Sequence, residues 1–134
     1  MLTIFCSPAR YVQGRDATRV LPLELGKLGV TGRALIIASP SARKQLASVW
    51  QESFAEVGTP FDVLDFGGEC SSNEIARGQT EARRTDAETI IDAGGGKALD
   101  TARAVAAELD LPVACCPTAA ASDAPCSALS VIYT

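Results

Sequence analysis

The chain has 134 residues, of which 47% are hydrophobic, enough for one domain with a sizeable core and too few for two. Its net charge of −4 and pI of about 4.8 exclude nucleic acid and anionic membrane surfaces as expected partners. No stretch approaches the roughly 18 apolar residues of a membrane span, and residues 1–10 lack a basic flank before a long apolar run, so a cytoplasmic protein is expected.

The elements follow in chain order. Pro22 interrupts the apolar segment 20–28, so a helix there is broken or begins at the proline. Residues 33–38 read as a first strand, stopped by Ser39 and Pro40. The spacing of Leu46, Trp50, Phe54 and Val57 predicts a helix over 41–57 that buries these four and ends at Gly58. A second strand follows over 61–65. Ser71 and Glu74 form a capping-box pattern that opens a more polar helix to about Arg84. Residues 88–92 are short, β-branched and apolar, a third buried strand. Leu99, Ala102, Val105, Ala106 and Leu109 then recur at helical spacing, so a helix begins close to Lys97. Residues 112–116 make a fourth strand. Residues 129–133 read as a last one, expected to have nothing to pair with, and therefore to present an unpaired edge through which copies self-associate. Such alternation predicts an α/β fold, a Rossmann-like, mainly parallel sheet flanked by helices.

Between the third strand and its helix lies Gly94-Gly95-Gly96-Lys97. Glycines at a strand-to-helix turn let backbone approach a ligand with no Cβ in the way, and the free N–H groups of the first helical turn favour an anion. Lys97 adds positive charge, so the turn suits a phosphate or pyrophosphate. The alternative is a tight connection between packed elements and nothing more. The P-loop pattern fails, because it needs glycine at Ile91 and a hydroxyl at Ala98. The usual dinucleotide fingerprint fails because Leu99 stands in place of its third glycine. In open α/β sheets ligands bind at the carboxyl ends of strands, where Ser39, Gly94 to Lys97 and residues 117–123 converge; a dinucleotide across that edge is expected. Ser39 either caps its helix or, lacking a carboxylate and followed by Arg43 and Lys44, admits NADP beside NAD.

The five cysteines, Cys6, Cys70, Cys115, Cys116 and Cys126, cannot all pair within one chain, and adjacent Cys115 and Cys116 match no zinc spacing. Reduced, mostly buried thiols are expected. There is no histidine, which removes the commonest general base and metal ligand.

The run Pro117-Thr118-Ala119-Ala120-Ala121-Ser122-Asp123-Ala124-Pro125-Cys126-Ser127-Ala128-Leu129-Ser130-Val131-Ile132-Tyr133, together with Gly94 to Lys97, Asp100 and the early segment 7–14, resembles the glycerol dehydrogenases within the metal-dependent (iron-type) alcohol dehydrogenases. The resemblance covers essentially the whole chain, as the N-terminal portion of that fold. It implies that residues 1–134 are an NAD-binding domain, incomplete at its C-terminal end, with the helical metal-binding domain absent. It places Gly94, Gly95, Gly96 and Lys97 at the pyrophosphate, Thr118 and Ala121 on the adenosine side, and Ser127, Leu129 and Tyr133 on the ribose–nicotinamide side. Asp123 is implied where glycerol or a related small polyol binds, since a carboxylate accepts hydrogen bonds from vicinal hydroxyls; a turn or cap residue is the other reading of it. The implied reaction is NAD-dependent oxidation of glycerol to dihydroxyacetone. Zinc is implied for the full-length family, with an aspartate and two histidines as ligands beyond residue 134, so this chain alone is expected to be inactive. The chain departs from the family at Ser39 (aspartate there), Ala98 (threonine), Ala121-Ser122 (serine-threonine) and Pro22, which implies weakened cofactor binding. The alternative function is a non-catalytic nucleotide-binding module or a truncated remnant.

Overall fold

The computed structural model describes residues 10–14, 17–117 and 127–132. Their strands are β1 (Arg10–Gly14), β2 (Ala34–Ala38), β3 (Phe61–Asp65), β4 (Thr89–Gly94), β5 (Val113–Pro117) and β6 (Ser127–Ile132). They form one sheet in the order β1-β6-β5-β4-β2-β3. β3, β2, β4 and β5 are mutually parallel, while β6 is antiparallel to both β5 and β1. The helices are α1 (Leu21–Lys27), α2 (Pro40–Val57), α3 (Ser72–Thr85) and α4 (Gly96–Leu109), with a 3-10 turn over Ala17–Val20 before α1.

β2 and β4 are buried on both faces, which is why they read as continuous apolar runs rather than alternating ones, whereas the edge strand β3 is only partly buried. Ala34, Ile36, Ala38, Ile91, Ala93, Ala114 and Cys116 pack on one side with Leu21 and Leu25 of α1 and Trp50 and Phe54 of α2. Leu35, Ile37, Ile90 and Val113 pack on the other with Ala82 of α3 and Ala98, Ala102, Val105 and Ala106 of α4. The small residues of α4 let it lie close on the sheet, and Gly78 of α3 meets Val105 where no side chain would fit: a Cβ there would lie 2.7 Å from Val105 Cγ2.

Local signals set the helix ends. Ser39 caps α2 through its hydroxyl, which accepts from Ala42 N at 3.3 Å, and Pro40 takes the first helical position. Gly58 ends α2 at φ 71°, in the left-handed region. α3 and α4 end on Asp86 and Asp110, both at φ 55°, without glycine. α1 begins at Leu21 with Pro22 in its first turn, so the proline opens the helix rather than breaking it.

Three expectations need correction. The last strand runs from Ser127 to Ile132, and it has partners on both sides: Val12 lies opposite Leu129 and Cys115 opposite Ser130. Its backbone is therefore paired, and self-association through an exposed edge there loses its basis. The partner β1 was not anticipated, because Arg10 to Gly14 carries no apolar alternation to mark it as a strand. Val57 is 41% exposed rather than buried, and Leu46 is only partly buried, so α2 rests on Trp50 and Phe54. Among the described cysteines, Cys115 and Cys116 are buried and Cys70 is exposed. No helix among the described residues is long and apolar enough to cross a membrane.

Candidate functional site

β4 ends at Gly94, Gly95 caps α4, and the helix starts at Gly96. Gly94 pairs with Pro117 of β5, and Ser39 N donates to Ala93 O at 3.0 Å, so the turn sits at the carboxyl ends of three adjacent parallel strands. None of the three glycines has a positive φ. Turn conformation therefore does not demand glycine at these positions, and close neighbours demand it only at Gly94. A Cβ on Gly94 would lie 3.0 Å from the Ala98 Cβ and 3.5 Å from the Ser39 Cβ, so Gly94 serves close packing of strand, helix and neighbouring loop. Among the described residues a Cβ on Gly95 or Gly96 would meet nothing within 4 Å, so these residues leave open room above both. Gly95 brings no side chain to accept from the first-turn N–H groups of α4, whereas Ser39 and Ser71 do this for α2 and α3. The result is an open, backbone-lined place with the partial positive charge of a helix start.

Lys97 is at this place, but its ammonium is engaged: Nζ donates to Glu69 Oε1 at 2.8 Å, an exposed pair. Glu69 belongs to the loop after β3, which α3 holds in place. Gly67 N donates to Glu74 Oε2 at 2.5 Å, Arg77 Nε donates to Glu74 Oε1 at 2.8 Å, and Arg77 Nη2 donates to Asp65 O at 2.5 Å. The Arg77 guanidinium holds the Glu74 carboxyl below its usual range, against the effect of burial, with Gly67 N–H helping. Ser71 caps α3 as expected, but the Glu74 carboxylate goes to the loop and Arg77. Further along the edge, Arg43 Nη1 donates to Asp65 Oδ1 at 2.8 Å, and an open hollow of about 550 Å³ is lined by Pro40, Arg43, Lys44, Ala47 and Asp65. Ser39 caps α2, one of the two roles its sequence position suggests.

Beneath the turn lies a residue that pattern reading passed over. Asp92 is fully buried in β4, flanked in the sheet by Ile37 and Cys115. Cys115 Sγ donates to its Oδ2 at 3.6 Å, and Oδ1 has no hydrogen-bond partner. Burial pushes its carboxyl up to about 7, the Cys115 thiol and Arg103 pull it down, and Asp100 adds to the rise. The signal was in plain sight, a carboxylate inside an apolar strand. Burial pushes the Cys116 thiol up, which makes it inert.

Of the other expected site residues, Ser127 and Leu129 lie on β6 opposite Gly14 and Val12, while Thr118, Ala121, Asp123 and Tyr133 fall outside the described residues. Among the described residues no group of three or more His, Cys, Asp or Glu side chains could hold a metal ion.

The family model for iron-containing alcohol dehydrogenase matches residues 8–134. A glycerol dehydrogenase of Escherichia coli O6:H1 is 43% identical over 131 residues, 98% of this chain and 35% of that protein. A glycolaldehyde reductase of Halobacterium salinarum is 42% identical over 134 residues, all of this chain and 36% of that protein. The crystal structure of glycerol dehydrogenase from Schizosaccharomyces pombe superposes with a TM-score of 0.77 at 34% identity, over 86% of this chain and 29% of that one. The chain thus spans about a third of the length of the relatives it matches. With a match over nearly its whole length and the glycine turn set in a mainly parallel sheet, the chain belongs to the iron-containing alcohol dehydrogenase family.

Proposed function

We propose that residues 1–134 are the NAD-binding, N-terminal portion of a cytoplasmic dehydrogenase acting on glycerol or a related small polyol. One observation carries the reading: the room left above Gly95 and Gly96 at the uncapped start of α4. A pyrophosphate fits there, because backbone N–H groups can reach it with no Cβ between. Lys97 neutralises its charge once it leaves Glu69. Thr118 and Ala121 border the adenosine, Ser127, Leu129 and Tyr133 the ribose and nicotinamide, and Asp123 accepts hydrogen bonds from the polyol. When bound, NAD supplies the hydride acceptor; the residues here bind and orient it. Relatives of nearly equal identity are named for glycerol and for glycolaldehyde, which supports a small hydroxylated two- or three-carbon substrate class rather than one compound. The family's zinc finds no fitting donor set among the described residues, and the chain has no histidine, so no step is assigned to a metal here.

Calorimetric titration of the purified chain with NAD and NADP tests the reading. Binding of NAD is expected, with NADP within about tenfold, because Ser39 presents no carboxylate to repel a 2′-phosphate. Mixing the chain with NAD, zinc and glycerol is expected to give no NADH above a metal-free blank. Binding of neither dinucleotide would refute the proposal; protein-dependent NADH formation would refute its assignment of the metal chemistry to other residues.

A further inference from the structure

Asp92 occupies the strand that carries the glycine turn, two residues before Gly94, where no water reaches it. Its surroundings are settled on each side. Cys115 of β5 gives Oδ2 a weak thiol donor at 3.6 Å, and α4 contributes opposing influences from Arg103 and Asp100. The neighbouring β2 residue is the apolar Ile37, and Cys116 of β5 packs with the core cluster on the other face of the sheet. Among the described residues no ion pair holds the carboxylate, and Oδ1 has no hydrogen-bond partner. A neutral carboxylic acid is tolerable in such a place, but an ionised one is not, since a buried charge needs a partner or several hydrogen bonds. The structure thus sets a buried, under-satisfied carboxyl at the root of the element that presents Gly95 and Gly96.

We propose that Asp92 is a proton-operated control of the dinucleotide site: its neutral form lets β4 and α4 hold the glycine turn ready, and its ionisation releases the dinucleotide. This rests on the reading of the turn as a pyrophosphate site. Two effects act in the same direction. The charged carboxylate strains the packing that Gly94 shares with Ala98 and Ser39, and its negative charge opposes that of the pyrophosphate. Bound dinucleotide and the Asp92 proton therefore favour each other, as linkage requires. The pH interval in question is also quiet: the chain has no histidine to titrate there.

The experiment is calorimetric titration of the full chain with NAD at pH 6, 7 and 8, beside infrared spectra of the protein over the same range. If only the neutral form binds, the Kd at pH 8 is about tenfold weaker than at pH 6. Asp92→Asn, which keeps the volume and cannot ionise, is expected to flatten that dependence. Cys115→Ala, which takes away a donor to the carboxylate, is expected to move the fall to higher pH. The carbonyl band of a protonated carboxylic acid is expected in the unaltered chain at pH 6 and lost by pH 8, a readout independent of whether Asp92→Asn folds. Equal NAD affinity at pH 6 and 8, a fall that persists in Asp92→Asn, or the absence of a titrating acid band would each overturn the proposal while leaving the pyrophosphate site intact. Absence of NAD binding at every pH would instead remove the site itself, and the control of it too.

Discussion

Adding a single methyl group at each glycine of the turn separates packing from ligand binding. At Gly94 the new Cβ would stand 3.0 Å from the Ala98 Cβ, itself fixed to the backbone of α4 and buried, so no flexible side chain can move aside. The helix or strand must shift, and overpacking of this kind costs about 1–3 kcal/mol. In a domain of this size that lowers Tm by roughly 4–12 °C. At Gly95 and Gly96 the same methyl touches nothing within 4 Å, and neither residue has a positive φ. Gly96→Ala should therefore leave stability unchanged or raise it by about 0.4–1 kcal/mol, through the stiffer unfolded chain, while at the N-cap position Gly95→Ala loses that gain and should cost no more than about 1 kcal/mol. NAD affinity should run the other way. A Cβ in the space assigned to the pyrophosphate should weaken binding at least about tenfold, or 1.4 kcal/mol, and Gly95→Val or Gly96→Val should abolish it. Thermal denaturation and calorimetric NAD titration of the variants read both quantities. Unaltered NAD affinity in stable Gly95→Ala and Gly96→Ala proteins would show that the open room is not where the dinucleotide lies, and an unaltered Tm for Gly94→Ala would refute the packing argument.

Three further outcomes follow from the charges around the turn. Glu69→Gln frees Lys97 from its exposed partner and should tighten NAD binding two- to fivefold by calorimetry, a small effect because such pairs are worth about 0–1 kcal/mol. Glu74→Gln should destabilise the chain by about 1–3 kcal/mol at pH 7 in denaturant melts; since Glu74 is held below the usual carboxylate range, its contribution is present above that range and is lost, with the difference between the two proteins, as pH falls through the folded value. Asp92 has the opposite sign: its folded form keeps a proton up to about pH 7, so stability should fall as pH rises from about 4 to about 7, and Asp92→Asn should be the more stable protein at pH 8 by a few kcal/mol.

The parallel half of the sheet was legible because its signals are local. β2 and β4 are apolar on both faces, α2 is bracketed by Ser39, Pro40 and Gly58, and Ser71 marks the start of α3. The antiparallel half was not. β1 has neither a continuous apolar run nor clean alternation, and it becomes a strand by pairing with β6, more than a hundred residues later in the chain. Nothing in a short window reports such a partner, so β6 looked unpaired when it lies between two neighbours. Val57 shows the same limit at finer scale: it continues the helical spacing of Trp50 and Phe54, but the last turn of α2 extends past what covers it.

The candidate site divides along the same line. A run of glycines between a strand and a helix announces a ligand turn or a tight connection, and composition cannot choose between these. Among the described residues Gly94 is held by packing, while Gly95 and Gly96 face open space, so the tight-connection reading applies to Gly94 and the ligand reading is proposed for the other two. The carboxylates that attend the turn were hidden for different reasons. Glu69 reaches Lys97 from a loop 28 residues earlier, a meeting that only the β3–β2–β4 order brings about. Asp92 was visible as a letter, yet its importance comes from what surrounds it: an orphan oxygen, a thiol, and no water. Together they set one charged and one proton-holding carboxyl beside a turn whose backbone favours an anion. One of the two can swing away because it is exposed, and the other can be silenced only by a proton because it is buried. The proposed affinity of this turn for a phosphate therefore answers to the state of the two acids beside it as well as to its glycines.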